Sequence, residues 1–315
     1  MLARNFSCME PMREPGAPET GGQWPALPYP AWRDTRETLH LWTQIVGKTR
    51  LALTPRVNHW WNVTLYVTAR GLGTSLMPCG AEMFDAEFDF VAHRLRLRTL
   101  TGREAGVDLY PRTVADFYAE YLARLRDVGI EVPIFTKPQE LADPIQFDHD
   151  TVHASYDGEA AARFWRVLAI VAAVLQEFRA RFIGKCSPVH FFWGGFDLAV
   201  SRFSGRPAPP RRGADRMSRE AYSHETSSVG FWPGDPSSPE PAFFSYIAPA
   251  PPGLERAAVQ PKTAAYAPDF GGWFLKYDEV RASPSPRLTL LDFCQTAYEA
   301  GADLAHWPRA QLERG

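Results

Sequence analysis

An ordered set of matches recurs in the two halves of this 315-residue chain. In each half, a predicted helix ends in Gly-Lys and is followed by a His with two aromatic residues. A strand-like segment comes next. The half then closes with a helix that is entered through Pro-Arg and contains Asp-Phe. The matched segments are Ile45-Val46-Gly47-Lys48 with Phe182-Ile183-Gly184-Lys185, His59-Trp60-Trp61 with His190-Phe191-Phe192, and Asp116-Phe117 with Asp292-Phe293. This order predicts an internal duplication. Because the spacing requires insertions, chance similarity is the alternative.

Each predicted unit contains a helix, three or four antiparallel strands and a closing helix, so the fold class is α+β, with the duplicated halves packed as one compact unit. The boundaries are a first repeat at 24–132, a linker at 133–156 and a second repeat at 157–307. They leave a disordered segment at 1–23 and a tail at 308–315. Hydrophobic periodicity predicts helices at 34–52, 113–127, 157–184 and 287–306, with Asp34 and Asp157 as the N-caps of the first and third. It predicts strands at 59–69, 82–91, 94–100, 189–203, 225–232, 242–248 and 272–278.

Charge and composition exclude several classes of protein. The 34 Lys and Arg residues nearly balance 36 Asp and Glu, which is unlike a general nucleic-acid binder. The longest apolar run, from Val167 to Leu175, is too short to cross a membrane. The four cysteines have no metal-ligand spacing and indicate reduced thiols. We therefore expect a cytoplasmic protein without nucleic-acid or membrane partners, whose oligomeric state stays open.

Five longer stretches resemble an uncharacterised bacterial family known as domain of unknown function 5996. They are Trp24–Pro28, Asn58–Thr68, Ser187–Leu198, Arg219–Glu225 and Gly230–Gly234. The resemblance extends from Trp24 to Trp307 and implies a single co-folding unit. It assigns no activity and no catalytic residue.

The segment Tyr222-Ser223-His224-Glu225 is the first candidate for chemistry. A His beside a carboxylate is typical of an acid/base pair or of two metal ligands. In a regular strand, however, adjacent side chains point to opposite faces. The alternative is a buried His224 bonded to the backbone and a surface Glu225.

His59 and His190 occupy equivalent places in the two predicted repeats. Near a pseudo-twofold axis they would approach each other, and with a carboxylate such as Asp197 or Glu225 they would suit Zn²⁺ or Fe²⁺. The alternative is that each His makes a hydrogen bond at the start of its strand.

Two further segments carry polar residues. Asp148–His153 is best interpreted as a capped linker. Arg202 is either an anion-binding residue or a solvated residue at the end of a strand.

The leading hypothesis is a cytosolic enzyme that acts on a small, partly apolar molecule. Its site would be an aromatic-lined seam between the two repeats, with or without a metal. The predicted catalytic residues are His190, His224, Glu225 and Asp197. The predicted pocket residues are Tyr222, Trp232, His59 and Arg202. No cofactor is identified. The alternatives are a non-catalytic module that binds a small molecule or a protein, and a subunit whose aromatic residues form an oligomer interface.

Overall fold

The computed structural model describes residues 24–314, so the disorder predicted for residues 1–23 concerns residues outside this range. The helices are α1 Arg33–Leu53, α2 Val114–Asp127, α3 Gly158–Ala180, α4 Arg216–Ala221, α5 Tyr277–Arg281, α6 Pro286–Leu304 and α7 Arg309–Leu312. The strands are β1 Tyr66–Val67, β2 Gly71–Gly73, β3 Met77–Cys79, β4 Glu82–Asp89, β5 Arg94–Thr99, β6 Glu104–Asp108, β7 His190–Phe192, β8 Asp197–Pro207, β9 His224–Trp232, β10 Ala242–Ala248, β11 Ala265–Ala267 and β12 Gly272–Lys276.

The strands form two antiparallel sheets. Sheet 1 has the order β1-β2-β4-β5-β6, with β3 paired to β4, and sheet 2 has the order β11-β12-β10-β9-β8-β7. The sheets meet at Leu65 and Phe191, whose backbones exchange hydrogen bonds of 2.9 and 2.8 Å. This arrangement confirms the predicted α+β class. Each half supplies a first helix, an antiparallel sheet and a closing helix, while a common origin by duplication stays a prediction.

Local sequence explains the elements that were predicted well. In β5, Leu95 and Leu97 are buried and alternate with arginines on the wetter face, as the period of two requires. Thr113 accepts a hydrogen bond from the Asp116 backbone N–H and caps α2. Asp157 accepts from two backbone N–H groups and caps α3.

Helix α1 is buried along most of its length although it carries many polar residues. Its polar side chains bond to the segment that was predicted as a linker. Gln44 donates to the Gln139 carbonyl at 2.9 Å and accepts from the Gln139 N–H at 2.8 Å, and Thr38 accepts from the Ser155 N–H at 3.2 Å. Buried polar groups need such partners. The connection at 133–156 is therefore packed onto α1.

Three local predictions differ from the structure. The segment 59–69 is not one strand, because His59 and Trp60 adopt left-handed φ angles of 58° and 61° within a 3₁₀ segment, Asn58–Val63. The segment 189–203 is divided by a turn between β7 and β8. Asp34 lies inside α1 rather than capping it, since the N-cap residue is Trp32. Within residues 24–314, no helix is both long enough and apolar enough for a bilayer crossing.

Candidate functional site

Sheet 2 has an inner face, which packs against α3 and α6, and an outer face. Strand register assigns side chains to each face: His190 pairs with Ala199, Phe192 with Asp197, and Ser201 with Ser228. The outer face carries His190, Phe192, Asp197, Ser201, Phe203, Ser228, Trp232 and Tyr246. Two predicted catalytic residues, His190 and Asp197, thus share one surface.

Two carboxylates meet at the turn between β7 and β8. A Cβ atom added to Gly195 would lie 2.6 Å from Asp197 Oδ1 and 3.5 Å from Glu140 Oε2. A Cβ atom on Gly194 would lie 2.4 Å from Glu140 Oε1. The two glycines therefore provide the room that the carboxylates occupy. His40 of α1 bonds to the Gly194 carbonyl through Nε2 at 2.7 Å, which holds this turn against the first half.

The environment of this pair favours a neutral acid. Burial, followed by the neighbouring Glu140 charge, raises the pKa of Asp197 to about 8. Asp197 nevertheless keeps some exposed area. Desolvation and Asp215 raise the pKa of Glu140 as well, although Glu140 is an exposed residue. No Lys, Arg or His in residues 24–314 forms an ion pair with either carboxylate.

Hydroxyl groups continue the polar surface from Asp197. The phenol oxygens of Tyr222 and Tyr246 are 3.0 Å apart, and Ser201 donates to Ser228 at 3.1 Å. Burial raises the pKa of Tyr246 well above its usual value, with Tyr222 and Asp197 adding to the effect. The Arg211 guanidinium lies 3.6 Å from the centre of the Tyr222 ring. The four hydroxyl groups can both donate and accept hydrogen bonds.

His190 is 1% exposed, and neither of its ring nitrogens has a hydrogen-bond partner in the described part of the chain. It is enclosed by the rings of Trp61, Tyr66 and Phe192, with centroids 5.5 to 5.8 Å from its own. Burial, with Arg50 and Arg179 contributing, lowers the pKa of His190 to about 3. Buried polar groups usually have a hydrogen-bond partner, so an imidazole enclosed by aromatic rings without one among the described residues is unusual.

His59 and His224 come together at the other end of the outer face, with ring centroids 5.7 Å apart. His59 Nδ1 bonds to the Ala221 carbonyl at 2.9 Å, and Lys185 Nζ lies 2.6 Å from His59 Nε2. His224 Nδ1 is 3.1 Å from the Ser223 hydroxyl. Trp61 contacts both His59 and His190, so one aromatic cluster links the two ends.

Glu225 and Arg202 lie apart from these groups. Glu225 accepts hydrogen bonds from Ser204 at 2.7 Å and from Arg206 at 2.8 Å, so its partner is Arg206 rather than His224. Arg202 is on the inner face, where its guanidinium stacks on Phe178 of α3 and Tyr298 of α6.

The arrangement does not provide a metal centre within residues 24–314, where no group of three His, Cys, Asp or Glu side chains is placed to share an ion. Asp150 and His153, which were interpreted as part of a linker, instead pair with each other at 2.7 Å. Two surface depressions of about 440 Å³ lie elsewhere, one beside residues 122–133 and one beside residues 30–35 and 154–157. None of the eight predicted site residues lines either depression.

Comparison with known families gives a match over nearly the whole chain. A model of DUF5996, a family of unknown function, matches residues 24–314. The chain belongs to this family. No curated protein and no solved structure matches it. DUF5996 therefore accounts for the five stretches that run from Trp24 to Gly234, and the match supplies no chemistry for the outer face.

Sequence reasoning missed Glu140, Tyr246 and Lys185. A usable signal for the carboxylate pair was Gly194-Gly195 next to Asp197, since adjacent glycines at a strand turn allow close approach of another group. Nothing local marked Glu140, because it lies in the connection 133–156 and reaches Asp197 only through folding.

Proposed function

We propose that this protein is an acid–base enzyme that acts on a small, partly apolar molecule at the outer face of sheet 2. The observation that supports this most is that two carboxylates, Asp197 and Glu140, meet at the Gly194–Gly195 turn without an ion-pair partner among residues 24–314. Two like charges that share a site do not both ionise readily, so one carboxyl keeps its proton. Such a pair supplies an acid and a base at the same pH.

Asp197 is the acid in this proposal, and Glu140 is the base. A pKa of about 8 leaves Asp197 protonated at neutral pH, when it can donate to a leaving oxygen or nitrogen atom. Glu140 is the more exposed of the two and accepts a proton from the substrate or from water. Tyr222 and Tyr246 orient polar groups of the substrate, while Trp232 and Phe192 contact its apolar part.

The cellular location and the class of substrate are proposed on separate grounds. Cys79, Cys186 and Cys294 are free thiols, which suits the reducing cytoplasm of a bacterium. The near balance of charge argues against nucleic acid as the substrate.

The test compares the wild type with Asp197→Asn and Glu140→Gln during incubation with a small-molecule extract of bacterial cells, followed by mass spectrometry. We expect at least one compound to be consumed by the wild type. Its consumption should fall by about 100-fold or more in both variants, the usual contribution of acid–base catalysis. Asp108→Asn is the matched control, because Asp108 is an exposed carboxylate of sheet 1. If the wild type consumes no compound faster than Asp197→Asn, the proposal is wrong.

A non-catalytic binding module is the second candidate. The His190 ring favours it, because neither ring nitrogen has a hydrogen-bond partner among the residues that the structure describes. A binder would retain a compound from the same extract without converting it. His190→Phe keeps the aromatic packing and removes the nitrogens, so it should release that compound while the fold persists.

A further inference from the structure

Lys185 is an exposed lysine whose amine has no carboxylate partner among the residues that the structure describes. Its Nζ atom instead lies 2.6 Å from His59 Nε2. Lys276 provides the contrast within the same chain, because its ammonium pairs with Glu240 at 2.8 Å. Most surface lysines are stabilised as cations by water or carboxylates, and Lys185 faces a base.

The tautomer of His59 makes its Nε2 atom that base. His59 Nδ1 is 2.9 Å from the Ala221 carbonyl, and a carbonyl can only accept, so Nδ1 carries the hydrogen. The lone pair on Nε2 then faces Lys185. Burial lowers the pKa of His59, with Lys185 and His224 lowering it further. His59 is therefore neutral and able to accept a proton from the amine.

The backbone is strained at His59 itself and at the next residue, Trp60. His59 and Trp60 are consecutive non-glycine residues in the left-handed region, with φ angles of 58° and 61°. Each such residue costs about 1 kcal/mol or more and persists where the surrounding structure imposes it. Strain of this kind concentrates at functional sites.

Aromatic rings form the walls around the amine. Lys185 Nζ is 5.5 Å from the centre of the Trp61 ring and 4.9 Å from that of Phe203. Ring faces attract a cation, whereas the loss of water disfavours it. The loss of water prevails, and the pKa of Lys185 is lowered.

From this geometry we propose that Lys185 is a nucleophilic amine that condenses with a small aldehyde or ketone, with His59 as its proton acceptor. The Lys185 nitrogen attacks the carbonyl carbon and gives one proton to His59 Nε2. That proton passes to the carbonyl oxygen and gives a carbinolamine. The second N–H proton then reaches the same oxygen through His59, the C–O bond breaks, water leaves, and a C=N bond joins Lys185 to the former carbonyl carbon. No oxidant or reductant takes part. This site is independent of the Asp197–Glu140 pair and does not rest on the function proposed above.

Reductive trapping tests the proposal on the full chain. The protein is incubated with benzaldehyde and sodium cyanoborohydride at neutral pH, and the rate of benzylation at each lysine is measured by peptide mass spectrometry. We expect Lys185 to be labelled at least about tenfold faster than exposed Lys262 and ion-paired Lys276, because an adjacent base activates a lysine amine as a nucleophile. Equal or slower labelling of Lys185 overturns the proposal, and this comparison needs no variant.

Two variants test the role of Lys185 as the nucleophile and the role of His59 as its base separately. Lys185→Arg retains a cation and should lose the fast label without changing the rates at Lys262 and Lys276. His59→Gln should bring the rate at Lys185 down to that of Lys262, with folding checked by circular dichroism. If Lys185 stays fast in a folded His59→Gln protein, His59 is not its base and the proposed dyad is wrong.

Discussion

The indole of Trp193 lies directly against the backbone of Gly47, so that a Cβ atom at position 47 would be 2.3 Å from the indole Nε1. The same Nε1–H donates to the Val63 carbonyl at 2.7 Å. Trp193 belongs to the turn between β7 and β8, and Gly47 belongs to α1. This contact fastens the glycine turn beneath Asp197 and Glu140 to the first half of the chain.

Gly47→Ala should therefore destabilise the protein by about 1 to 3 kcal/mol, the usual cost of overpacking, even though Ala favours a helix. Chemical denaturation measures the free energy of unfolding. Gly301→Ala is the matched control, also at a buried helix position, where the new Cβ would be 3.1 Å from the Ile247 side chain and a shift of a few tenths of an ångström relieves the contact. Its effect should stay within about 1 kcal/mol. Equal losses in the two variants would show that the Trp193 contact is not the cause.

Asp197→Asn should change how stability depends on pH. The pKa of Asp197 is about 8 in the folded protein, above the value near 3.9 of an unfolded aspartate. The folded state therefore holds a proton that the unfolded state loses, and the wild type loses stability as the pH rises from about 4 to 8.

The variant cannot ionise at this position and should gain at least about 1 kcal/mol relative to the wild type between pH 5 and pH 8, since one pKa unit corresponds to about 1.4 kcal/mol. Urea unfolding at the two pH values measures this difference. Asp108→Asn should show almost none. A constant gap between the wild type and Asp197→Asn would mean that Asp197 is ionised throughout.

The pair of His153 and Asp150 should also make stability fall as the pH rises, here through a histidine that binds its proton more tightly on folding. Hydrogen bonding to Asp150 raises the pKa of His153 above its usual value, with burial opposing and Glu37 adding to the effect. Its stabilising contribution is present in full below the unfolded value near 6.5 and is lost as the pH rises through the folded value. His153→Gln should thus cost more at pH 5.5 than at pH 8.5, by roughly 1 kcal/mol.

Exposed His149 offers the comparison, because it makes only a 4.0 Å approach to Asp148. His149→Gln should cost little at either pH when the free energy of unfolding is measured in urea. If His153→Gln has the same cost at both pH values, His153 does not bind its proton more tightly on folding.

Replacing Arg202 with the apolar residue Met should lower the free energy of unfolding less than replacing it with Lys. Its guanidinium is buried, stacks 3.4 Å from the Phe178 ring centre, and has two nitrogens without acceptors within residues 24–314. Burial lowers the pKa of Arg202 to about 10. Replacing a buried charge by a well-packed apolar side chain is often neutral or stabilising.

We expect Arg202→Met to cost less than about 1 kcal/mol and Arg202→Lys about 2 kcal/mol, because Lys cannot stack and carries a more concentrated charge. Denaturation in urea ranks the two variants. A larger loss for Met than for Lys would show that the cation itself stabilises the contact between α3 and α6.

Hydrophobic periodicity and capping residues correctly predicted the helices and strands that depend on interactions between residues close in sequence. The alternation in Arg94–Thr99, the cap at Asp157 and the apolar stripe of α3 each involve residues a few positions apart, so periodicity was sufficient. The same reasoning failed at 59–69, since a left-handed His59 is imposed by contacts with Ala221 and Lys185, far along the chain.

The sequence by itself determined the α+β class and most of the helices and strands. Tertiary structure alone decided which polar groups meet on the outer face of sheet 2. It set Glu140 beside Asp197, Lys185 beside His59, and Arg202 on the opposite face from both. Contacts of this kind depend on how α1, the 133–156 connection and sheet 2 pack together, and packing between distant segments leaves no periodic signal in a single chain.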